Sequence, residues 1–330
     1  MRLWLFVLTA SIAATTVVAR ADTHRFVPQT FANTYSFAHP PVLRIKPGDR
    51  VITKTIDAAG VDWNGKSVAA GPNPQTGPFF IEGAEPGDTL VVTVEKIETN
   101  RAMAYSGSLL APYTVDPGAI ATRVEREPRR LTWTIDKARN VARLDQAEVQ
   151  PGGIELPLRP MLGCIGVAPA RKEAISTATP GAFGGNMDYA WMNAGVKLML
   201  PVNEAGALLF LGDGHARQGE GEVAGTGLET SMDVEFTVDV IPEKRISGPR
   251  VENSTNIMSM GLGSLDDAFK QATSAMVAWL ADDYKLTPSE AAQVLGTSAE
   301  YKISEAADRN AGVVLKLDKA RLRTLTGGTK

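Results

Sequence analysis

The sequence predicts a mainly β fold, a sandwich or jelly-roll-like body, with an α+β portion and helices near the C-terminus. Three observations predict it. Short β-branched runs recur from His24 to about Ile246, the 31 glycines and 20 prolines are scattered between them as turn residues, and the hydrophobic period changes to a helical one only after Gly263.

Taken in order, Val42–Ile45 leads into the turn Lys46-Pro47-Gly48-Asp49, and Val51–Ile56 follows as a β-branched strand. A related phrase, Glu85-Pro86-Gly87-Asp88, feeds Thr89–Val94, so a similar hairpin device is expected twice. Met232–Val240 alternates apolar and polar strictly, the pattern of a strand with one wet face. Past Gly263, the residues Leu265, Ala268, Phe269, Ala272, Met276, Trp279 and Leu280 form one helical stripe. A second helix is announced by a capping box, with Thr287 as N-cap, Pro288 at N1, Glu290 at N3 and Leu286 as staple. Gly296 is expected to stop it, and Val313–Leu317 to add a last strand.

At the N-terminus, Arg2 precedes the apolar run Leu3–Ala14, and Ala19-Arg20-Ala21 offers a small-residue cleavage site. This predicts a secretory signal peptide over residues 1–21 and a periplasmic or secreted protein. The run is shorter than the ~20 residues of a membrane-spanning helix, so no membrane association is expected after cleavage. The expected organisation is a β-rich catalytic body over 22–255 and a helical C-terminal portion over 256–330 packed on it, with one intertwined domain as the alternative. The formal net charge is −3, and loss of Arg2 and Arg20 with the leader makes it −5. With no basic patch, nucleic acid is excluded as an expected partner. One cysteine, Cys164, allows no internal disulfide, and its apolar neighbours predict a buried, inert thiol.

Chemistry concentrates in Leu209–Val223, where a histidine and three carboxylates stand among glycines after an apolar stretch. In extended chain Asp213 and His215 share a face, as do Glu220 and Glu222. Asn186 and Asp188 form a third pair two residues apart. A divalent cation needs several such donors converging from different parts of a fold. The mature chain holds only His24, His39 and His215, which favours a mixed histidine and carboxylate site. Glu82, between apolar residues and a glycine, is a candidate general base if partly buried. No G-x-S-x-G elbow, H-E-x-x-H helix or phosphate-binding glycine loop is present in the sequence.

The segments Asn73–Pro78 with Glu82–Asp88, Gly163–Gly166, Gly184-Gly185-Asn186-Met187-Asp188 and Gly212–Ala216 with Gln218–Glu222 resemble, in order and spacing, those of the acetamidase/formamidase family. The likeness covers nearly the whole mature chain. It implies hydrolysis of short-chain amides such as formamide or acetamide to a carboxylic acid and ammonia, a largely β fold, and a divalent metal in some members. By position it carries Asn186, Asp188, His215 and Glu222 to the site. Two departures stand out: Phe183 occupies a place where some relatives carry histidine, and Gly296–Glu300 differs from the family's serine- and aspartate-containing pattern.

The mechanism expected from this reading has a divalent metal, zinc or calcium, held by His215 with Asp188, Asp213 or Glu222, polarising the carbonyl and activating water. Glu82 or Glu220 would move the proton, and Asn186 would donate to the oxyanion. The expected partners are a small amide substrate and a second copy of the chain in a homodimer. The rival readings are a cupin-like metalloenzyme of other chemistry and an exported, non-catalytic calcium-binding protein.

Overall fold

The computed structural model describes residues 21–118, 129–144 and 152–325. The expected signal peptide therefore lies, except for Ala21, outside the described residues.

Two sheets face each other. The larger has nine strands in the spatial order β1 (Thr23–Arg25), β4 (Arg50–Lys54), β16 (Met232–Ile241), β6 (Thr89–Thr99), β14 (Lys197–Pro201), β17 (Arg250–Glu252), β18 (Asn256–Gly263), β20 (Ala311–Asp318) and β19 (Glu300–Glu305). The smaller has five: β13 (Gly184–Asn186), β11 (Met161–Gly166), β15 (Leu209–His215), β5 (Thr76–Ile81) and β3 (Leu43–Ile45). Their inner faces supply the main core, with Val51, Val92 and Phe236 on one side and Phe79, Leu162, Ile165 and Leu211 on the other. Phe79 and Phe236 meet edge to face across it, ring centres 5.4 Å apart. This is the predicted sandwich. On β16 the burial alternates as the sequence pattern requires.

The two Pro-Gly-Asp turns are the same device, but not a hairpin. In each the aspartate side chain accepts from the backbone N–H three residues earlier, Lys46 to Asp49 and Glu85 to Asp88, both at 2.9 Å. Each carries the chain from the smaller sheet to the larger one, β3 to β4 and β5 to β6. The repeat is thus a sheet-to-sheet crossover used twice, leaving neighbouring strands of the smaller sheet and entering the larger one on either side of β16.

A four-stranded ribbon, β10 (Ile154–Pro157), β9 (Val141–Leu144), β8 (Arg130–Asp136) and β7 (Met103–Gly107), has its own core of Trp133, Ile135 and Leu144 packed on Ala216 and Leu228. A two-stranded pair, β12 (Ala174–Ser176) and β2 (Thr34–Ser36), lies apart from these sheets.

Helix α1 (Leu265–Tyr284) and helix α2 (Pro288–Ser298) pack against the β18 and β20 end of the large sheet, where Ala268, Ala272, Met276, Trp279 and Leu280 meet Ile257, Val313, Leu315 and Leu317. Leu265 and Phe269, expected on the buried stripe, are about half exposed, and Phe269 lies against Tyr301 with ring centres 4.5 Å apart. The capping box forms as predicted, with Thr287 and Glu290 bonding each other's backbone N–H. Gly296 does not stop α2: the helix runs two residues past it and ends at Ala299. A short helix α3 (Lys319–Leu325) follows β20. Residues 256–330 are more than a helical portion, since β18, β19 and β20 belong to the large sheet itself. Among the described residues no helix is long and apolar enough to cross a membrane.

Candidate active site

The site forms where the smaller sheet ends. Strand β11 pairs with β13 and β15, placing Cys164 between Asn186 and Gly212 and setting Gly163 between the segments that carry Asp188 and Asp213. Asp213 and His215 belong to β15 rather than to a loop, and both are buried. After His215 the chain turns out and comes back so that Glu229 bridges His215, and this excursion brings in Gln218 and Glu222. Glu305 arrives from β19, whose bulge between Ile303 and Glu305 sits against Gly221.

These segments, with Asn73 ahead of β5, line a cavity of about 250 Å³ bordered by Asn73, Asn186, Asp188, Asp213, Glu222, Glu229 and Glu305, with Tyr105, Ala58, Ala178, Ala307 and Asp308 around them. His215 Nε2 lies 3.0 Å from Glu229 Oε1, 3.4 Å from Asp213 Oδ1 and 3.9 Å from Glu222 Oε1. None of these is aligned as a hydrogen bond, so this nitrogen, Asp188 Oδ1, Glu229 Oε2 and Glu305 Oε2 are buried with no hydrogen-bond partner. Orphaned acceptors of this kind cost free energy unless a proton or cation binds them.

Backbone strain marks the same place. Asn73, Asp188, Asp213 and Glu222 all hold the left-handed conformation, at φ of 44°, 41°, 57° and 43°. Each costs roughly 1 kcal/mol or more, and such strain collects where a side chain must point in one direction. Gly163 shows why: a Cβ there would come within 2.2 Å of Asp188 Oδ1 and 2.8 Å of Asp213 Oδ2. Gly227 plays the same part beside His215, whose Nδ1 would be 2.5 Å from a Cβ.

Charge crowding sets the protonation states. Burial, then the neighbouring Glu222 and Asp213, hold the Asp188 carboxyl well above its usual range. Burial also raises Glu222, against the pull of His215. Burial lifts Glu229 to about 6, with His215 opposing, and lifts Glu305, beside Asp308, to about 8. For His215 burial pulls the ring down, yet Glu229 and Asp213 outweigh it and hold the imidazolium favoured.

Asn73 Nδ2 donates to Asn186 Oδ1 at 2.6 Å and to Asp213 Oδ2 at 3.1 Å. With its oxygen engaged, Asn186 has its amide nitrogen left to face the cavity. The Cys164 thiol lies within 3.0 Å of Asn186 Oδ1 and 3.3 Å of Asp213 Oδ2, under the site rather than in a purely apolar setting. Burial and the two aspartates push it up, so it is a buried proton donor and not a thiolate.

Asn186, Asp188, Asp213, His215 and Glu222 therefore come together. Glu82 and Glu220 do not. Glu82 is half-exposed at the end of β5, 3.7 Å from Arg44. Glu220 points away from Glu222, accepting from Trp191 Nε1 at 3.2 Å, with Lys302 at 3.6 Å. The alternation rule fails there because Glu222 is left-handed rather than extended. Glu229 and Glu305 were missed: Glu229 sits in an unremarkable Gly227-Leu228-Glu229 run, and Glu305 lies far away in sequence. His24 is bound to Asp49 at 2.8 Å and His39 to Thr34 at 2.7 Å, both outside the site. Phe183 packs on Tyr35 in the core, ring centres 5.2 Å apart.

Fold and site together are those of an amidase-class enzyme. The profile of the acetamidase/formamidase family matches residues 22–173 and 170–258, and the chain belongs to that family. It is 26% identical to the crystal structure of a predicted acetamidase/formamidase from the thermophile Thermoanaerobacter tengcongensis, with a TM-score of 0.80 over 94% of this chain and all of that one. It is 28% identical to an acetamidase from Yersinia enterocolitica, with a TM-score of 0.79 over 93% of this chain and 95% of that one. A candidate formamidase of Schizosaccharomyces pombe is 27% identical over 198 residues, 46% of this chain and 47% of its own length, so the match spans about half of that curated relative.

Proposed function

We propose that this protein hydrolyses short linear amides, formamide and acetamide first among them, to a carboxylate and ammonia. The observation that carries this reading is a cavity of about 250 Å³ lined by Asp188, Asp213, Glu222 and Glu229, with His215 buried beside three of them and acceptors left without partners. That volume is below the roughly 300 Å³ at which pockets for drug-sized ligands begin. It suits an amide of a few heavy atoms and a water.

Two trios can hold a cation, Asp188 with His215 and Glu222, and Asp213 with His215 and Glu229. Each trio includes His215 Nε2 and one carboxylate oxygen without a hydrogen-bond partner, Asp188 Oδ1 in the first and Glu229 Oε2 in the second. One nitrogen with carboxylate oxygens fits zinc better than calcium, which prefers oxygen alone. Such an ion, when bound, polarises the amide carbonyl and acidifies a water. The chain's own residues do the rest. Glu229, ionised near neutral pH, takes the water's proton, and Glu305, protonated there, delivers one to the departing nitrogen. The Asn186 amide donates to the oxygen on which negative charge develops.

The test is ammonia release from a panel of short amides by the purified chain, with metal content measured on the same sample. Formamide or acetamide turnover that disappears in His215→Asn is the expected result. Full turnover in that variant, or none on any short amide in the metal-replete wild type, overturns the reading. Export is likewise a proposal resting on residues 1–21. A periplasmic or secreted form beginning at Asp22 supports it, and a cytoplasmic form retaining Met1 refutes it.

A further inference from the structure

We infer that Gln218 is a positioning residue that fixes which nitrogen of His215 serves the cavity: Nδ1 carries a hydrogen toward Gln218, and Nε2 is left as the working atom. The inference rests on the site reading above for what Nε2 does, but not for the tautomer itself.

The argument is one of donors and acceptors. Gln218 is buried, and His215 Nδ1 lies 2.7 Å from its Oε1. Its Nε2 donates to the backbone carbonyls of Asp188 at 2.5 Å and Ser304 at 3.4 Å. Turning the amide over would bring its oxygen against two carbonyl oxygens and set its NH₂ against the imidazole, so the orientation has one satisfactory solution. With the oxygen facing His215, Nδ1 must be the donor. The other nitrogen then faces Asp213, Glu222 and Glu229, its lone pair free whenever the ring is neutral. Gly227 lies against the ring so closely that even a methyl group there would collide with Nδ1 and Cγ, so the ring fits as placed only beside a glycine.

Gln218 also ties together three of the site's segments. His215 ends β15, Asp188 follows β13, and Ser304 lies on β19 next to Glu305. One amide thus sets the ring, anchors the strained Asp188 backbone and holds the strand that brings Glu305. Partners of this kind behind a ligating histidine typically contribute roughly 10- to 100-fold to metal affinity or activity.

The chain has three histidines, so the full-length mature protein labelled with ¹⁵N-histidine gives three ring systems, assigned with His24→Gln and His39→Gln. In the wild type with zinc alone added, and without it wherever the ring is neutral, the expected spectrum shows His215 Nδ1 keeping its hydrogen, with zinc taken up at Nε2. In Gln218→Met, which keeps length and bulk, the expectation is a mixture of tautomers wherever the ring is neutral, a roughly 10- to 100-fold weaker zinc dissociation constant, and a fall in kcat larger than any change in KM. A wild-type His215 with unprotonated Nδ1, or zinc bound at Nδ1 in place of its hydrogen, overturns the inference even if Gln218→Met fails to fold. So does a folded Gln218→Met with wild-type tautomer and zinc affinity. Absence of amide turnover with the expected spectrum refutes the proposed reaction and leaves the assignment of Nδ1 standing.

Discussion

Within the cavity, carboxylates of one residue type differ in role because they differ in surroundings. Glu229 lies 3.0 Å from His215 and is lifted only to about 6, whereas Glu305, beside Asp308 and without a cation, reaches about 8. Glu229→Gln is therefore expected to lower kcat by roughly 100- to 10,000-fold, the span of a general base. Glu82→Gln and Glu220→Gln, both outside the cavity, are expected to stay within about twofold of wild type in the same assay. Glu305 also makes stability depend on pH. Below the ordinary carboxylate range it is protonated in both folded and unfolded chains. As pH rises past about 4.5 the unfolded chain releases the proton while the folded one keeps it to about 8, so folding stability drains away across that window. The scale is about 1.4 kcal/mol per unit of difference. Metal-free Glu305→Gln is expected to melt above wild type at pH 8 and equal to it at pH 4, as thermal unfolding at the two values will show.

Between elements, the site depends on how closely β11 approaches its neighbours. Gly163 leaves the space in which Asp188 and Asp213 converge, both on left-handed backbone. Gly163→Ala is expected to displace one of them by about the ångström that costs roughly 100-fold in rate. Circular dichroism should show the β fold retained, and a loss of sheet signal would mean the glycine serves folding instead. What the sequence made legible at this scale is the secondary structure: the β16 alternation, the capping box at Thr287 and the α1 stripe all rest on neighbours within one or two turns. Its misreadings lie at the margins of the helices: exposed Gly296 is tolerated in the last turn of α2, at a cost of only about 1 kcal/mol, and Phe269 is left half exposed on α1.

Across the molecule, the body and the C-terminal portion share one sheet and one site. Strands β18, β20 and β19 extend the nine-stranded sheet, and Glu305 enters the cavity from the last of these in space. A chain cut to residues 22–255 would expose the β17 edge and the core residues that Met258, Met260 and Val314 cover, and would lack Glu305. It is expected to be insoluble or, if soluble, inactive on short amides. A folded 22–255 fragment with wild-type ammonia release would show the two portions to be independent.

The sequence by itself determined the β class, the helical end, and most of the candidate site: Asn186, Asp188, Asp213, His215 and Glu222 meet because each lies in a short motif whose glycines admit close approach. It placed Glu220 wrongly because alternation holds only in extended chain, and Glu222 is not extended. Only the tertiary structure decided the rest. Glu229 and Glu305 join the cluster through a returning loop and a bulged strand, Gln218 chooses the working nitrogen of His215, and the carboxyls are raised by a burial that no local pattern encodes. Motifs record what neighbours along the chain can do, whereas desolvation and crowding of charge arise between segments far apart in it.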